Sequence, residues 1–331
     1  MKAFSYLSAP DVATAVRAIA DRPNAKFIGG GTNLVDLMRE EIERPDTVID
    51  ITRLPLTEVE ELPGGGVRIG ALVRNSHLAA NRLIRTRYPM LSQALLSGAS
   101  GQLRNMATVG GNLLQRTRCL YFYDDAAACN KREPGSGCEA VGGFTRSHAV
   151  LGTSAACIAT HPSDMCVALA ALDATVVAES VRGERRIPIS EFHLLPGERP
   201  DIETTLTADE LITAVELPDV PVAATSRYRK VRDRASYAFA LVSVAAALEV
   251  TGGTVSAVRL AMGGVAAKPW RAREAERLLL GGPADVESFR RAAATELAPA
   301  VAQPGNAFKI ELAQRVIVAT LAQLLAEGSA A

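Results

Sequence analysis

The sequence predicts an α+β protein of more than one domain, and three observations carry that reading. Helix-like and strand-like segments alternate from Asp11 to Ile51, two strand-like runs flank the tight turn Thr251-Gly252-Gly253, and three helical segments close the chain. With 331 residues, 48% of them apolar, the chain holds enough hydrophobic material for two or three separate cores.

The elements follow in order. Asp11 to Ala20 carries Val12, Val16 and Ile19 at helical spacing, Ala25 to Ile28 is a short strand, and Asn33 to Ile42 places Leu34, Leu37, Met38 and Ile42 on one face. Pro45 stops that helix and Thr47 to Ile51, "TVIDI", is the next strand, so the opening resembles a βαβ unit. After the turn Pro63 to Gly66 come a strand at Val67 to Leu72, a helix from Asn75 or Ser76, and an apolar helix ending near Gly98. Cys119 to Thr160 lacks periodicity and is rich in Gly, Cys and Ser, a loop of the length that is usually functional. "SDMCVALAALDATVVAES" resumes as helix and strand, "RGERRIPI" turns back as a hairpin, Thr205 to Leu217 is a further strand region, and Pro218 to Thr225 is the linker candidate. Phe239 to Val250 and Thr254 to Met262 then pair as a hairpin, and helices at Arg271 to Leu280, Ala284 to Leu297 and Phe308 to Glu327 end the chain. This divides the protein into residues 1–55, residues 56–220 with a special loop at 115–160, and residues 225–331.

Lys plus Arg and Asp plus Glu both number 36, so the formal net charge is zero. Nucleic acid as main partner would need a basic excess or a concentrated basic face. The one dense basic stretch, Arg227 to Arg234, suits a single anionic ligand or the carboxylates of a partner protein. The first residues have one Lys and no sustained apolar segment, unlike a secretory signal, and no apolar run has the length of a membrane span. The expectation is a soluble chain without a signal peptide of its own, cytoplasmic unless a partner carries it elsewhere.

Two glycine turns stand out. "FIGGGTNL", Phe27 to Leu34, puts three glycines between a strand and a helix, where bare backbone N–H groups face a site that favours an anion such as a diphosphate. The dinucleotide fingerprint needs another glycine three positions after the last, and Leu34 stands there, although Asp50 lies where a ribose-binding acid would fall. A tight turn with no ligand is the plainer alternative. The second turn, "ATVGGN" at Ala107 to Asn112, favours a ligand, since two such turns can grip one flavin-sized molecule from two sides.

Five cysteines fall between Cys119 and Cys166 and none elsewhere, which suits a metal site better than a disulfide framework. Their spacing is not that of zinc ribbons or bacterial ferredoxin runs. Cys166 lies in an apolar helix and behaves as a small hydrophobe, which leaves Cys119, Cys129, Cys138 and Cys157 as ligands for an iron–sulfur cluster or a zinc ion. Unrelated reduced thiols are the remaining alternative. His77, His148, His161 and His193 show no metal-ligand pairing, Tyr121 and Tyr123 either stack on a flavin-sized ligand or anchor the loop, with anchoring favoured, and Trp270 begins the helical tail as core or interface.

"FIGGGTNL", "ATVGGNLLQ" and "HPSDMCVALAALDATV" together resemble the FAD-binding medium subunit of the molybdenum hydroxylases, the family of xanthine and carbon monoxide dehydrogenases. The four-cysteine insertion resembles the flavoprotein subunit of bacterial periplasmic aldehyde oxidoreductases, which carries an extra [4Fe–4S] cluster. The resemblance implies a vanillyl-alcohol-oxidase-type (PCMH-type) FAD-binding fold of two α/β subdomains, followed by a C-terminal α+β domain with an antiparallel sheet and helices. It implies FAD binding by Phe27, Ile28, Gly29, Gly30, Gly31, Thr32, Asn33 and Leu34, met by Thr108, Gly111 and Asn112 from the other side. It also implies that Asp164 stands near the ribityl and adenosine portion, that Lys230 stands near the flavin ring, and that Ile212 packs on it. The partners implied are a large molybdenum-cofactor subunit and a small [2Fe–2S] subunit, with electrons passing from molybdenum through iron–sulfur centres to FAD and an external acceptor. Export in a complex with a signal-bearing partner would make the chain periplasmic. Two competing readings are a self-sufficient nicotinamide- or flavin-dependent dehydrogenase built on "GGG" and Asp50, and a zinc-stabilised scaffold.

Overall fold

Three sheets organise the computed structural model, which describes residues 1–328. The first is parallel. β1 (Ser5–Ser8), α1 (Val12–Ala20), β2 (Ala25–Ile28), α2 (Leu34–Arg39) and β3 (Thr47–Asp50) give the strand order β1-β3-β2, with Leu7 and Phe27 on either side of Ile49. Asp11 starts α1 by accepting the Thr14 N–H at 2.7 Å, and Ala15, Val16 and Ile19 join Ile49 and Leu54 in a small core. β1 escapes the sequence pattern because none of its four residues is buried.

The second sheet is antiparallel. It contains β4 (Val59–Glu61), β5 (Val67–Gly70), β6 (Thr175–Ser180), β7 (Gly183–Pro188) and β8 (Leu211–Leu217) in the order β4-β5-β8-β6-β7. β8 is central and all seven residues are buried, so its apolar run "LITAVEL" tolerates Glu216 because Arg68 Nη1 reaches that carboxylate at 2.6 Å and Arg186 of β7 pairs with it from the other side of the strand. Between β5 and β6 lie α3 (Asn75–Ala80), α4 (Arg82–Arg87), α5 (Pro89–Ser97), α6 (Gly101–Met106), α7 (Val109–Leu113), α8 (Leu120–Tyr123) and α9 (Asp164–Ala171). α9 is apolar on every side and buried throughout. Residues 124–163 contain no helix or named strand, as the sequence suggests. α10 (Ile189–Phe192) leads from β7 towards β8.

The expected linker is a packed connector: Pro221–Ala224 forms a 3-10 turn whose Val222 and Ala223 are buried in the main core. β9 (Ser226–Val231), β10 (Val242–Thr251), β11 (Thr254–Gly263) and β12 (Trp270–Arg271) form an antiparallel sheet in the order β12-β11-β10-β9. α11 (Arg273–Leu279), α12 (Val286–Leu297) and α13 (Phe308–Gly328) follow, with Ile317 and Leu321 of α13 sharing a core with Val244 and Leu248 of β10. Trp270 begins a strand rather than a helix, and its indole N–H donates to Glu296 at 2.8 Å.

The basic stretch from Arg227 does not form a free patch. Most of it is β9, where Arg227 pairs with Glu327, Arg229 donates to Gln323, and Lys230 pairs with Asp164, so the sequence expectation of an external anion or partner there is corrected. Among the described residues no helix is long and apolar enough to cross a membrane.

Candidate functional site

The first glycine turn forms one edge of a cavity of about 510 Å³, a size typical of ligand sites. Gly31 has φ +72°, which disfavours a side chain, and a Cβ on Gly30 would overlap the Met106 carbonyl. The turn therefore presses against the end of α6. Among the described residues, the N–H groups of Gly30 to Asn33 donate to no backbone or side-chain acceptor. Asn33 Oδ1 accepts the Arg116 N–H at 3.1 Å, while its Nδ2 is buried without a partner. Free donors on a cavity wall suit an anionic or carbonyl-bearing ligand.

Phe27, Ile28, Gly29, Gly30, Gly31, Thr32, Asn33, Leu34, Thr108, Gly111 and Ile212 all line this cavity. Asn112 does not: its Oδ1 accepts from Ser163 Oγ at 2.7 Å and from Gln115 Nε2. The second turn also behaves differently from expectation. Thr108 caps α7 by accepting from Gly111, and the Gly110 N–H donates to Ala71 O at 2.8 Å, so its donors are consumed internally rather than offered to a ligand. Asp50 is absent from the cavity wall and instead accepts from Tyr6 and from the Thr52 N–H, which removes the ribose partner a nicotinamide reading needs.

The large cavity meets a smaller one of about 130 Å³ at Thr117, Thr160 and His161, and Asp164 lines the smaller space. Lys230 lines neither cavity; its ammonium donates to Asp164 Oδ2 at 2.8 Å and to Ser97 O at 3.1 Å, because a buried cation takes the nearest carboxylate. Tyr228 donates to the other oxygen of Asp164, and burial followed by the carboxylate's charge raises its phenol. In this structure Asp164, not Lys230, is the member of the pair that faces a cavity.

Cys119, Cys129, Cys138 and Cys157 line one small cavity beside Phe122, Ala140 and Ala159, and none forms a disulfide. Burial pushes the Cys119 thiol up to about 11, with Cys129 and Cys157 adding to the rise. Burial also raises Cys157, and Cys138 and Cys129 contribute. Four unbridged cysteines around one small cavity are a donor set of the kind that thiolate-bound metal centres use. The loop that carries them is tied by side chains: Arg132 donates to the carbonyls of Tyr121 and Phe122, each at 2.9 Å, and His148 Nε2 lies 3.1 Å from Cys119 Sγ. Cys166 sits apart in α9, fully buried, its thiol pushed up to about 12.

Two groupings were invisible in the sequence. His161, Cys166 and His193 place one donor atom each within 4.8 Å of one another, although no local motif links them. His193 Nε2 donates to Leu113 O at 2.9 Å, and burial pushes that imidazole down to about 4 and His161 well below its ordinary value. Both rings are neutral and line the large cavity. The second grouping is a charge network: Arg116 lies 2.8 Å from Glu43 and 2.7 Å from Glu203, and Lys131 is 2.7 Å from Glu203. Burial works against the Arg116 charge, but Glu203 and Glu43 outweigh it and the guanidinium is held above its ordinary value.

Comparison with known proteins agrees with this geometry. Residues 2–220 match the family model of the FAD binding domain in molybdopterin dehydrogenase, and residues 201–324 match the CO dehydrogenase flavoprotein C-terminal domain. The chain is 52% identical over 329 residues to the aldehyde oxidoreductase FAD-binding subunit PaoB of Escherichia coli K12, covering 99% of this chain and 100% of that one. It is 28% identical to the glyceraldehyde dehydrogenase medium chain of Sulfolobus acidocaldarius, over 84% of this chain and 81% of that one. Carbon monoxide dehydrogenase from Hydrogenophaga pseudoflava superposes with a TM-score of 0.76 at 25% identity, covering 98% of this chain and 97% of that one. Quinoline 2-oxidoreductase from Pseudomonas putida 86 shares the fold at 23% identity, with a TM-score of 0.76 and 99% coverage of both chains. The chain belongs to the FAD-binding subunits of the molybdenum hydroxylases, and its fold is their PCMH-type FAD-binding fold followed by the flavoprotein C-terminal domain.

Proposed function

We propose that this chain is the FAD subunit of a molybdenum-dependent aldehyde oxidoreductase, holding FAD in the large cavity and a [4Fe–4S] cluster on Cys119, Cys129, Cys138 and Cys157. It assembles, in this reading, with a large molybdenum-cofactor subunit and a small [2Fe–2S] subunit. The carrying observation is that four unbridged thiols surround one buried cavity directly beside the glycine-edged one. When bound, the two groups supply sites that accept and release electrons, so that reducing equivalents from substrate oxidation on a partner chain reach an external acceptor.

The residues of this chain bind and orient. The free N–H groups of Gly30 to Asn33 favour the diphosphate, and Phe27, Ile28 and Ile212 cover apolar ligand surface. Arg116 and Lys131, balanced by Glu43 and Glu203, brace the charged part of the cavity wall, and the Arg116 N–H ties it to Asn33 of the glycine turn. At the cysteine cavity the raised thiols of Cys119 and Cys157 must lose their protons on metal binding, so loading is favoured at higher pH. An export signal on a partner would take the folded chain to the periplasm.

Metal and flavin analysis of the purified complex tests the proposal. The expected result is FAD with about four iron atoms per chain in this subunit, beyond those of the partner's cluster. Replacing Cys119, Cys129, Cys138 or Cys157 singly by Ser should remove that iron, whereas Cys166→Ser should retain it. Zinc in place of iron, or iron retained in all four variants, would overturn the ligand assignment.

A further inference from the structure

The cysteine cavity and the large cavity share a wall, and three residues line both: Thr117, Lys131 and Ala159. Only Lys131 among them carries charge. Its side chain is 5% exposed, and its ammonium is fixed by Glu203 Oε1 at 2.7 Å and by Pro200 O at 2.8 Å. Glu203 is held in turn by Arg116 at 2.7 Å, and Arg116 also reaches the Lys131 carbonyl at 3.4 Å. The shared wall therefore contains a fixed cation, and the anion that fixes it, Glu203, lines the large cavity with Arg116.

A buried lysine with one carboxylate partner is a costly way to fill space, since a well-packed apolar pair is often as stable. Its location supplies the reason. An electron arriving in either cavity adds negative charge behind the same single layer of side chains, and in a poorly screened interior a fixed cation favours that reduced state while a fixed anion opposes it. We infer that Lys131 is an electrostatic coupler of the two redox sites, its ammonium positioned by Glu203 to raise the reduction potential of the flavin and of the cluster together. This rests on the assignment of FAD and a [4Fe–4S] cluster made above. Glu203 lies directly beside Lys131 on the large-cavity side, so its opposite charge offsets that of Lys131 at both sites.

Potentiometry of the intact purified complex tests this, with flavin followed by absorbance and the cluster by its EPR signal. Lys131→Met should lower both midpoint potentials, Glu203→Gln should raise both, and Lys131→Arg should stay close to the parent. A tenfold change in the reduced-to-oxidised ratio is expected at each site, read as 59 mV for a one-electron couple and 29.6 mV for a two-electron couple. Should Lys131→Met fail to assemble, Glu203→Gln decides, because loss of packing does not raise two potentials together. Potentials that stay unchanged, or a shift in only one couple, in an iron-loaded complex would overturn the coupling alone. A parent complex without this cluster would overturn the assignment beneath it, and the coupling with it.

Discussion

The ion pair between Asp164 of α9 and Lys230 of β9 is the most quantifiable feature near the site. Its side chains are 7% and 4% exposed and its charged atoms lie 2.8 Å apart. Lys230→Met leaves the Asp164 carboxylate with only the Tyr228 hydroxyl, and Asp164→Asn leaves the ammonium with neutral acceptors, Ser97 O among them, and no anion. Stripping one partner from a buried pair costs about 3–5 kcal/mol, so the two single changes would total about 6–10 kcal/mol if independent. The double variant removes both charges and keeps a hydrogen-bond acceptor for Tyr228, so its cost should fall to about 1–3 kcal/mol, that of imperfectly satisfied polar groups. Urea unfolding followed by the fluorescence of Trp270, the only tryptophan, reads the sheet that contains Lys230. A double variant as unstable as the sum of the singles would refute the idea that these two charges stabilise each other.

Two further outcomes follow from the site's geometry. Gly30→Ala should release most of the bound flavin, because its Cβ would displace the Met106 backbone, whereas Gly29→Ala meets only side chains, Thr108 at 3.2 Å and Leu72 at 3.5 Å, and should be milder; equal flavin-to-protein absorbance ratios in both would refute this. For His193, burial lowers the folded value to about 4 from an ordinary 6.5, so the unfolded chain binds more protons between those values. Stability from this group is complete above about pH 6.5 and falls by roughly 3 kcal/mol as pH drops to about 4, because each tenfold difference in proton affinity between the folded and unfolded chain is worth about 1.4 kcal/mol. His193→Gln should flatten that part of the stability profile, and parallel profiles for parent and variant would count against the mechanism.

What could be read in the sequence was local. β2, β3 and α1 follow from the periodicity of a few adjacent residues, and the first glycine run is legible because a strand, a turn and a helix succeed one another there. β1 is not, since "SYLS" has no buried side to create a pattern. The strand β9 reads as a basic patch because its carboxylate partners, Asp164 and Glu327, lie far away in the chain. The same reason hides Lys131, whose partner Glu203 and that partner's second cation Arg116 come from separate segments. The second glycine turn misleads in another way. Its glycines are needed for close packing on Ala71 and for a capped helix, and a sequence motif does not reveal whether backbone donors are already spent.

The cysteine loop shows how the C-terminal part of the chain contributes to a site it does not line. Residues 124–163 belong to no sheet, so their backbone is held by turns, by isolated bridges such as Cys129 with Cys138, and by bonds from Val150 and Leu151 to Val265, and side chains that reach in add to these. Asn130 Oδ1 accepts from Gly137 at 2.8 Å and Arg132 gathers nearby carbonyls, which fixes the turn between Cys129 and Cys138 from within. The stretch before Cys157 is fixed from outside, by residues at the start of α13. Asn306 donates to the carbonyls of His148 at 3.2 Å and Ala149 at 3.1 Å, and the buried Lys309 ammonium donates to Ser147 at 3.2 Å and His148 at 2.7 Å. Burial pushes Lys309 down to about 7, a cost that is borne where carbonyl dipoles converge on the charge. Because His148 also stands against Cys119, one clamp sets the positions of the loop backbone and of the ring beside a thiol. Four thiols spread over a long irregular segment need rigid support along it, and the start of α13 with the residues just before it supplies that support between Thr145 and Val150.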